Sequence, residues 1–493
     1  MTRLNSWKNP LAMILFCALT ATVSHAQTLT TVFTFDGQGA QPGGAVAQGL
    51  DGKLYGTTQY GGIDFDGTVF RMTPAGQLVH YSFCAVSNCA AGAVPYGGLT
   101  LGRDGNFYGT ASAGGITTAG TVFRLTPSGT LSALYSFCSH HCLDGYIPSR
   151  GVMQASNGTF YGTTTLQGVN NAGVLFSVTE SGVETTLYSF CSQILCADGT
   201  YPNGGLVQAT DGNLYGTTSG GGKNGVGTVF KITATGELIT LYSFCSVAFP
   251  TCRDGNGPGA GLVQSTDGNF YGTTAMGGAF GWGTVFKITP EGVLTSLYSF
   301  CAQTSCTDGA GPLTNLIQAT DGNFYGTTAW GGNGQSDCIY YCGTVFEITP
   351  SGKLTTLYNF CSQANCADGN VPLAALIQAT NGDLYGTTSM GGDIYCPFPR
   401  LSGCGTVFTL KTGLAPFVQP NPTAGKVGCE IKILGNNLTG ASSVTFNGAS
   451  ATFTVVSDTY IKATVPSGAT MGAIQVTTPS GTLNSNVSFQ VLP

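Results

Sequence analysis

The chain has 493 residues, of which 75 are glycine and only 8% are charged, with 17 Lys and Arg against 23 Asp and Glu. Typical soluble domains have about 25% charged residues, so solubility here must depend on uncharged polar side chains and the backbone. Nucleic acid is excluded as a partner, because phosphate binding requires clustered cations that this sequence lacks.

The N-terminal segment 1–26 has the pattern of a secretory signal peptide. Arg3 and Lys8 precede an apolar run over residues 11–23, and residues 24–26, S-H-A, form a small-x-small cleavage site. The run is shorter than the about 20 residues that a membrane-spanning helix requires. We therefore expect an exported chain beginning at Gln27, in an extracellular, periplasmic or cell-surface location and without a transmembrane anchor. Its net charge is −8, since 15 cations then face 23 acids.

Residues 29–35, L-T-T-V-F-T-F, precede the first repeat and read as a single β-strand. They resemble residues 354–360, L-T-T-L-Y-N-F, which end a repeat near the other end of the chain. The last repeat stops after its third strand, at residues 405–410, so it lacks a segment of this kind. We predict that the N-terminal strand completes the last repeat and closes a ring, which removes exposed sheet edges.

The phrase Y-G-T-[TA] then recurs seven times at nearly regular intervals. We number units 1 to 7 by its tyrosines, which are Tyr55, Tyr108, Tyr161, Tyr215, Tyr271, Tyr325 and Tyr385. A near-constant period identifies a structural module, and the length differences are loop insertions. The recurring residues are therefore expected to serve packing, and function is expected where the units differ.

Unit 4 shows the predicted secondary structure of a module. Its runs 206–209, 213–218, 228–233 and 238–244 are rich in Val, Ile, Thr, Tyr and Phe and are separated by glycine-bearing turns. Asp211-Gly212 predicts a two-residue hairpin turn. Four antiparallel strands repeated at this period are typical of β-propellers. The predicted fold is thus all-β, with a seven-bladed propeller over residues 27–412.

Sixteen of the 18 cysteines fall into local pairs, which predict short-loop disulfides in an oxidising compartment. The pairs are Cys84-Cys89, Cys138-Cys142, Cys191-Cys196, Cys245-Cys252, Cys301-Cys306, Cys338-Cys342, Cys361-Cys366 and Cys396-Cys404. Metal binding is the alternative at Cys138-Ser139-His140-His141-Cys142, but equivalent loops keep the cysteines and lose the histidines. We predict no metal site and no cofactor. Cys429 has no local partner and is expected to be a buried free thiol.

All eight pairs are predicted to lie on one face of the ring. They fall either in the loops between the second and third strands of a unit, which we call inner loops, or in the connections between units. Variable loops on one face and short, uniform turns on the other are typical of a binding face and a structural face. The candidate ligand-binding residues, in the inner loops of units 5 to 7, are Trp282, Trp330, Tyr340, Tyr341, Tyr395, Phe398, Asp337 and Asp393. Aromatic faces beside carboxylates suit a glycan. The competing interpretation is that these rings pack over the backbone of their own loops.

A second Asp-Gly pair follows most of the cysteine loops and has two interpretations, a calcium site or a turn. It occurs at Asp144, Asp198, Asp254, Asp308 and Asp368.

Catalytic groups are scarce in the predicted mature chain, which retains His80, His140 and His141. It contains no G-x-S-x-G or H-E-x-x-H motif, and we predict no catalytic residue. A carboxylate pair for glycoside cleavage remains an alternative, because several loops carry acids.

Residues 413–493 depart from the repeat and read as a small β-sandwich. Alternating segments at 431–438, 443–448, 461–466 and 474–478 are separated by turn residues. In their order and amino-acid sequence, these segments resemble the IPT/TIG immunoglobulin-like domain. Such domains in exported proteins usually act as spacers or contact modules.

The repeats resemble the GloVer tandem repeats of exported bacterial proteins that carry one of several C-terminal anchoring modules. The motifs on which this resemblance is based are D-G-N-[LF]-Y-G-T-T, G-G, G-T-V-F and L-Y-S-F, and they extend across residues 28–411. The resemblance implies no catalytic residues. The variable loops and the scarcity of catalytic groups favour a binding or surface-interaction protein whose partner is a polysaccharide or another cell-surface component. An extracellular carbohydrate-active hydrolase or lyase, and a passive surface or spacer protein, are the alternatives.

Overall fold

The computed structural model describes residues 27–85, 89–139, 141–233, 235–247, 251–333, 342–392, 396–397 and 403–492. The predicted signal peptide lies outside this part of the chain. The all-β prediction is confirmed: the helical elements within the described ranges are short 3-10 turns, among them Ile194–Cys196, Thr304–Cys306 and Ala364–Cys366. None of the described helices is long and apolar enough to span a bilayer.

Each of units 1 to 6 folds into a four-stranded antiparallel sheet whose strands follow one another in chain order, and unit 7 contributes three strands to a sheet of the same kind. The strands of units 1 to 3 are Ala47–Gln48, Leu54–Thr58, Thr68–Met72 and Leu78–Ser82; Thr100–Leu101, Phe107–Ala111, Thr121–Leu125 and Leu131–Ser136; and Met153–Gln154, Phe160–Thr164, Val174–Val178 and Glu184–Ser189. Those of units 4 to 6 are Val207–Gln208, Leu214–Thr218, Thr228–Ile232 and Leu238–Ser243; Val263–Gln264, Phe270–Thr274, Thr284–Ile288 and Leu294–Ser299; and Ile317–Gln318, Phe324–Thr328, Thr344–Ile348 and Leu354–Asn359. Unit 7 has Ile377–Gln378, Leu384–Thr388 and Thr406–Lys411, and a two-stranded sheet of Gly39–Ala40 and Tyr60–Gly61 accompanies unit 1.

The N-terminal strand Thr28–Thr34 supplies the fourth strand of unit 7, as the sequence predicts. It runs antiparallel to Thr406–Lys411, with Thr28 opposite Lys411 and Thr34 opposite Thr406. Phe35 follows the strand and is fully buried in a cluster that includes Phe70 of unit 1 and Val407 of unit 7. The first residues of the repeat region therefore hold its two ends together.

The Y-G-T-[TA] phrase lies on the second strand, where its glycine makes room for an aromatic ring. In unit 4, a Cβ added at Gly216 would lie 2.6 Å from Cζ of Phe230 on the third strand. The last threonine of the phrase, Thr218, shares a 2.8 Å hydrogen bond with Thr228 of that strand. The phrase thus recurs because each sheet needs the same internal packing.

The same phrase also joins each sheet to the next one around the array. The Tyr215 ring stacks on Phe270 of unit 5, with centroids 4.1 Å apart. The first threonine of every phrase donates its hydroxyl to a carbonyl of the following unit: Thr57 to Gly97, Thr110 to Arg150, Thr163 to Pro202, Thr217 to Ala260, Thr273 to Thr314, Thr327 to Ala374 and Thr387 to Pro42. The last of these bonds links unit 7 to unit 1.

A glutamine on the first strand makes a second set of contacts between sheets. Its Oε1 accepts a hydrogen bond from a backbone N–H of the preceding unit, as in the 2.9 Å bond from Thr210 to Gln264. The equivalent bond from Thr380 to Gln48, also 2.9 Å, again joins unit 7 to unit 1. Unit 2 has Leu101 at this position and lacks the contact. The described sheets therefore form a propeller-like array.

The turn between the first and second strands differs from the predicted two-residue hairpin. In unit 4, Ala209 and Asn213 pair across a three-residue turn, and Gly212 adopts a φ of +84°. Asn213 N–H donates to Asp211 Oδ1 at 3.0 Å. Three-residue hairpins place glycine at their last, left-handed position, whereas a two-residue turn of this type needs positive φ at both residues.

The C-terminal region is a β-sandwich, as predicted, with a separate core that includes Ile433, Phe446 and Ile461. Its strands are Gln419–Asn421, Ala424–Lys426, Glu430–Leu434, Ser443–Phe446, Ala449–Ser450, Phe453–Ser457, Tyr460–Thr464, Ile474–Thr478, Gly481–Asn484 and Gln490–Leu492. The expectation that Cys429 is buried is wrong. Cys429 follows a turn at Gly428, immediately before a strand, and its side chain is exposed.

The sandwich packs against the turns that join the first and second strands of the propeller-like sheets. Thr459 Oγ1 donates to the carbonyl of Leu50 in unit 1 at 2.7 Å. Asn421 Nδ2 donates to the carbonyl of Leu101 in unit 2 at 3.3 Å, and Asn436 contacts unit 7. We call this side the turn face. The opposite side, which carries the inner loops and the connections between units, is the cysteine face.

Candidate ligand-binding face

Seven of the predicted cysteine pairs are disulfide-bonded, and all of them lie on the cysteine face. They are Cys84–Cys89, Cys138–Cys142, Cys191–Cys196, Cys245–Cys252, Cys301–Cys306, Cys361–Cys366 and Cys396–Cys404. Cys338 of the eighth pair lies outside the described residues. Disulfides at this density are typical of an oxidising compartment. The chain is therefore an exported protein.

The aspartate that follows the cysteine loop is buried and accepts hydrogen bonds from the loop. In the connection from unit 3 to unit 4, Asp198 Oδ2 accepts from the Tyr188 hydroxyl at 2.9 Å and from the Ser192 N–H at 2.9 Å. Asp198 Oδ1 accepts from the Gln193 N–H at 3.2 Å. Burial, reinforced by this carboxylate, raises the pKa of Tyr188 to about 12. Both oxygens of Asp198 thus accept hydrogen bonds from the loop, and this carboxylate orders it.

The same tyrosine–aspartate contact recurs in four other connections. It joins Tyr135 to Asp144, Tyr242 to Asp254, Tyr298 to Asp308 and Tyr358 to Asp368, at 2.7 to 2.8 Å. The connection that follows unit 1 has Ala91 at the equivalent position and lacks it. Of the two interpretations of the second Asp-Gly pair, these contacts favour the structural turn.

Trp282 and Trp330 come together on the cysteine face, although they belong to different units. Their rings meet edge to face, with centroids 6.3 Å apart and an interplanar angle of 77°. The Trp282 carbonyl accepts a 2.9 Å hydrogen bond from Gly311 N–H, and the Trp330 indole lies against Gly311, leaving no room there for a side chain. Both tryptophans are half-buried, so each ring keeps part of its surface in solvent.

The other six predicted ligand-binding residues fall in segments 334–341, 393–395 and 398–402, outside the described residues. They are Tyr340, Tyr341, Tyr395, Phe398, Asp337 and Asp393.

Exposed apolar side chains are concentrated on the cysteine face. In the connection that follows unit 3, Ile194 and Leu195 are 89% and 91% exposed. Other exposed apolar residues of this face are Ile63, Phe65, Ile116, Leu143, Val169, Val247, Met276 and Phe280. Solvent-facing apolar groups of this number favour contact with a partner.

Two polar side chains that sequence reasoning missed lie at the inner edge of the cysteine face. Arg150 of unit 3 donates from Nε to the Asn203 carbonyl of unit 4 at 2.6 Å, and from Nη2 to the Gly259 carbonyl of unit 5 at 3.2 Å. Asn315 of unit 6 accepts a 2.6 Å hydrogen bond from Gly261 N–H of unit 5. A side chain of unit 3 that reaches unit 5 past unit 4 must lie near the axis of the array.

The candidate metal ligands do not form a metal site in the described residues. Asp66, Cys84 and Cys89 lie within 4.8 Å of one another, but the two cysteines are bonded to each other. His80 is half-buried on the outer strand of unit 1, where it contacts Phe35 and Thr68, and burial lowers its pKa. His141 is exposed, and His140 lies outside the described residues.

The cavity between the turn face and the sandwich has a volume of about 340 Å³. Its lining includes Arg103, Lys426, Cys429, Glu430 and Lys432. Lys432 Nζ donates to the carbonyl of Arg103, which fixes this lysine at the domain contact. The cavity is therefore part of the contact between the domains and is distinct from the cysteine face.

Fold and face together define a propeller-like tandem-repeat protein with a C-terminal sandwich. Comparison with family models identifies the repeats: the Gloeobacter/Verrucomicrobia repeat matches residues 18–155, 139–336 and 246–418. The chain belongs to this family, which confirms the resemblance found in the sequence. Residues 418–491 are an IPT/TIG domain. No curated protein matches the chain.

Several solved structures are distantly similar in fold. The extracellular domain assigned to a hybrid two-component system of B. thetaiotaomicron has 11% identity and a TM-score of 0.47, over 95% of this chain and 60% of that one. A luciferin-regenerating enzyme has 12% identity and a TM-score of 0.40, over 79% and 97%. The PQQ-bound aldose sugar dehydrogenase of Streptomyces coelicolor has 14% identity and a TM-score of 0.37, over 78% and 98%. This chain thus spans less than two thirds of the first of these three.

Proposed function

We propose that residues 27–412 form a closed seven-bladed β-propeller, secreted after removal of residues 1–26, and that its cysteine face binds glycans at a cell surface. Closure is supported by the contacts of unit 7 with unit 1 and with the strand Thr28–Thr34. The sandwich packs on the turn face and leaves the cysteine face open.

The observation that carries the glycan assignment is the pair formed by Trp282 and Trp330. The edge-to-face contact and the packing on Gly311 hold both rings in place without burying them fully. Rings held before binding lose little conformational entropy when a ligand stacks on them. Sugar rings present apolar C–H faces between hydroxyl groups, and such faces suit a partly exposed indole.

A glycan-array screen followed by titration of the best ligand tests this proposal. We expect Trp282→Ala and Trp330→Ala each to weaken binding by about tenfold or more, the effect of losing a central aromatic contact. The control is Val293→Ala, which removes an exposed apolar side chain from the turn between the third and fourth strands of unit 5, away from the cysteine face, and is expected to change affinity less than about twofold.

Circular dichroism and thermal unfolding would establish that the variants keep the native fold. Binding that survives both tryptophan substitutions would contradict the assignment of the site. Release of shorter sugars from a bound polysaccharide would replace the binding role with a hydrolase or lyase. Absence of any glycan ligand would leave a surface or spacer role.

A further inference from the structure

Arg150 is a large, charged side chain at a position of the inner edge of the cysteine face where the other units have small residues. The residue two positions after the proline that precedes the first strand is small in the other six units: Gly44, Gly97, Gly204, Ala260, Thr314 and Ala374. Six sheets therefore pack at the axis with a small side chain there. Packing alone does not require an arginine in unit 3.

The guanidinium of Arg150 has no carboxylate partner among the described residues. Its two intramolecular bonds go to the carbonyls of Asn203 and Gly259. Its guanidinium carbon lies 5.7 Å from the ring centroid of Tyr96 in unit 2. Five N–H groups are available on a guanidinium, so these contacts leave several that can donate to a ligand. The side chain is half-buried, which strengthens a charged hydrogen bond relative to one in bulk water.

Neutral polar groups surround this cation. Asn203 Oδ1 accepts from Thr165 at 2.9 Å, and Thr165 shares a 2.7 Å hydrogen bond with Ser149. Asn315, which accepts from Gly261 of unit 5, is the only amide at its position, where the other units have glycine or alanine. A positive charge beside hydroxyls and amides suits an anionic, hydroxyl-bearing ligand.

We propose that Arg150 forms a carboxylate-binding subsite at the axis of the cysteine face, and that the ligand is an acidic glycan containing uronic acid residues. This inference rests on the proposed function, because it supplies the carboxylate contact for a polymer whose sugar rings stack on Trp282 and Trp330. Arg150 binds the uronate carboxylate through paired N–H donors, and the hydroxyls and amides around it contact the sugar hydroxyls.

Isothermal titration with oligogalacturonate, neutral oligogalactose and polyglutamate tests the subsite. Wild-type protein is expected to prefer oligogalacturonate to oligogalactose by about tenfold or more, the range of a hydrogen bond to a charged group. Arg150→Gln is expected to abolish this preference and leave oligogalactose binding within about twofold. Arg253→Gln is the control, because Arg253 is an exposed cation of the same face in the connection that follows unit 4.

Each other outcome counts against the inference. If wild type and Arg150→Gln bind both sugars equally, the subsite is refuted while the glycan-binding proposal survives. If Arg150→Gln loses both sugars and unfolds at a lower temperature, Arg150 is a structural contact between units. Polyglutamate bound as tightly as oligogalacturonate would replace the glycan with an acidic peptide. If no sugar binds, both proposals fail.

Discussion

Replacing Phe35 by alanine is expected to lower the free energy of unfolding by about 3–5 kcal/mol, the usual cost of truncating a buried phenylalanine. Phe35 is fully buried, its ring centroid lies 5.4 Å from that of Phe70, and its backbone N–H donates to Gly405 at 3.0 Å. The side chain thus fills the junction between unit 1 and unit 7. Chemical denaturation followed by tryptophan fluorescence measures the change.

The control for this substitution is Val79→Ala, on the outermost strand of unit 1. Val79 is 46% exposed, so its truncation is expected to cost less than about 0.5 kcal/mol. Equal costs for Phe35→Ala and Val79→Ala would mean that the N-terminal segment does not join the two ends of the repeat region.

Replacing Asp198 by alanine is expected to cost about 2–4 kcal/mol of stability. The substitution leaves the Tyr188 hydroxyl and the N–H groups of Ser192 and Gln193 without their acceptor, and an unsatisfied donor costs about 1–3 kcal/mol when buried. Exposure of part of the loop to water keeps the total below the sum of three such costs. Thermal and urea unfolding of the oxidised protein measure the effect.

Asp211→Ala, in the unit that follows this loop, is the matched control. Asp211 also accepts from a tyrosine hydroxyl, at 2.8 Å from Tyr215, but its side chain is 41% exposed. Water replaces the lost acceptor there, so a cost below about 1 kcal/mol is expected. A larger effect at Asp211 than at Asp198 would contradict the structural role of the second Asp-Gly pair. Stabilisation of the wild type by added calcium would do the same.

The fold was predictable from the sequence because the repeat makes its signals redundant. Seven copies of one pattern identify the strands of a unit, and the unmatched segment at 29–35 identifies the strand that completes unit 7. The hairpin turn was predicted one residue too short, because Asp-Gly is compatible with both turn lengths and only the pairing of Ala209 with Asn213 decides between them.

The contacts between units were not predictable in the same way. From the sequence alone, Gln264 is only a polar residue on a short strand. Its role in joining two units depends on its partner, the N–H of Thr210 in unit 4. Asp198 reads as a turn residue, since its bond to Tyr188 depends on how the cysteine loop folds back. Long-range hydrogen-bond partners of this kind depend on the tertiary structure and cannot be predicted from local sequence patterns.

The candidate site was predictable in part. Trp282 and Trp330 occupy equivalent loops of consecutive units, and a regular array brings such loops together, so their proximity follows from the repeat. Arg150 was missed because a single arginine carries no motif. The sequence signal for Arg150 is its contrast with the glycines, alanines and threonine at the same position of the other units. This contrast indicates a site only once the position is known to lie near the axis.

Hydrogen exchange at residues 28–34 tests most directly the claim that the N-terminal strand closes the array. Backbone pairing with Thr406–Lys411 predicts that the amides of this segment exchange as slowly as those of the outer strands within units, such as Leu238–Ser243. Mass spectrometry of peptic fragments after deuterium labelling gives both rates in one experiment. Complete exchange of residues 28–34 within seconds, while Leu238–Ser243 remains protected, would show an open array and contradict the account.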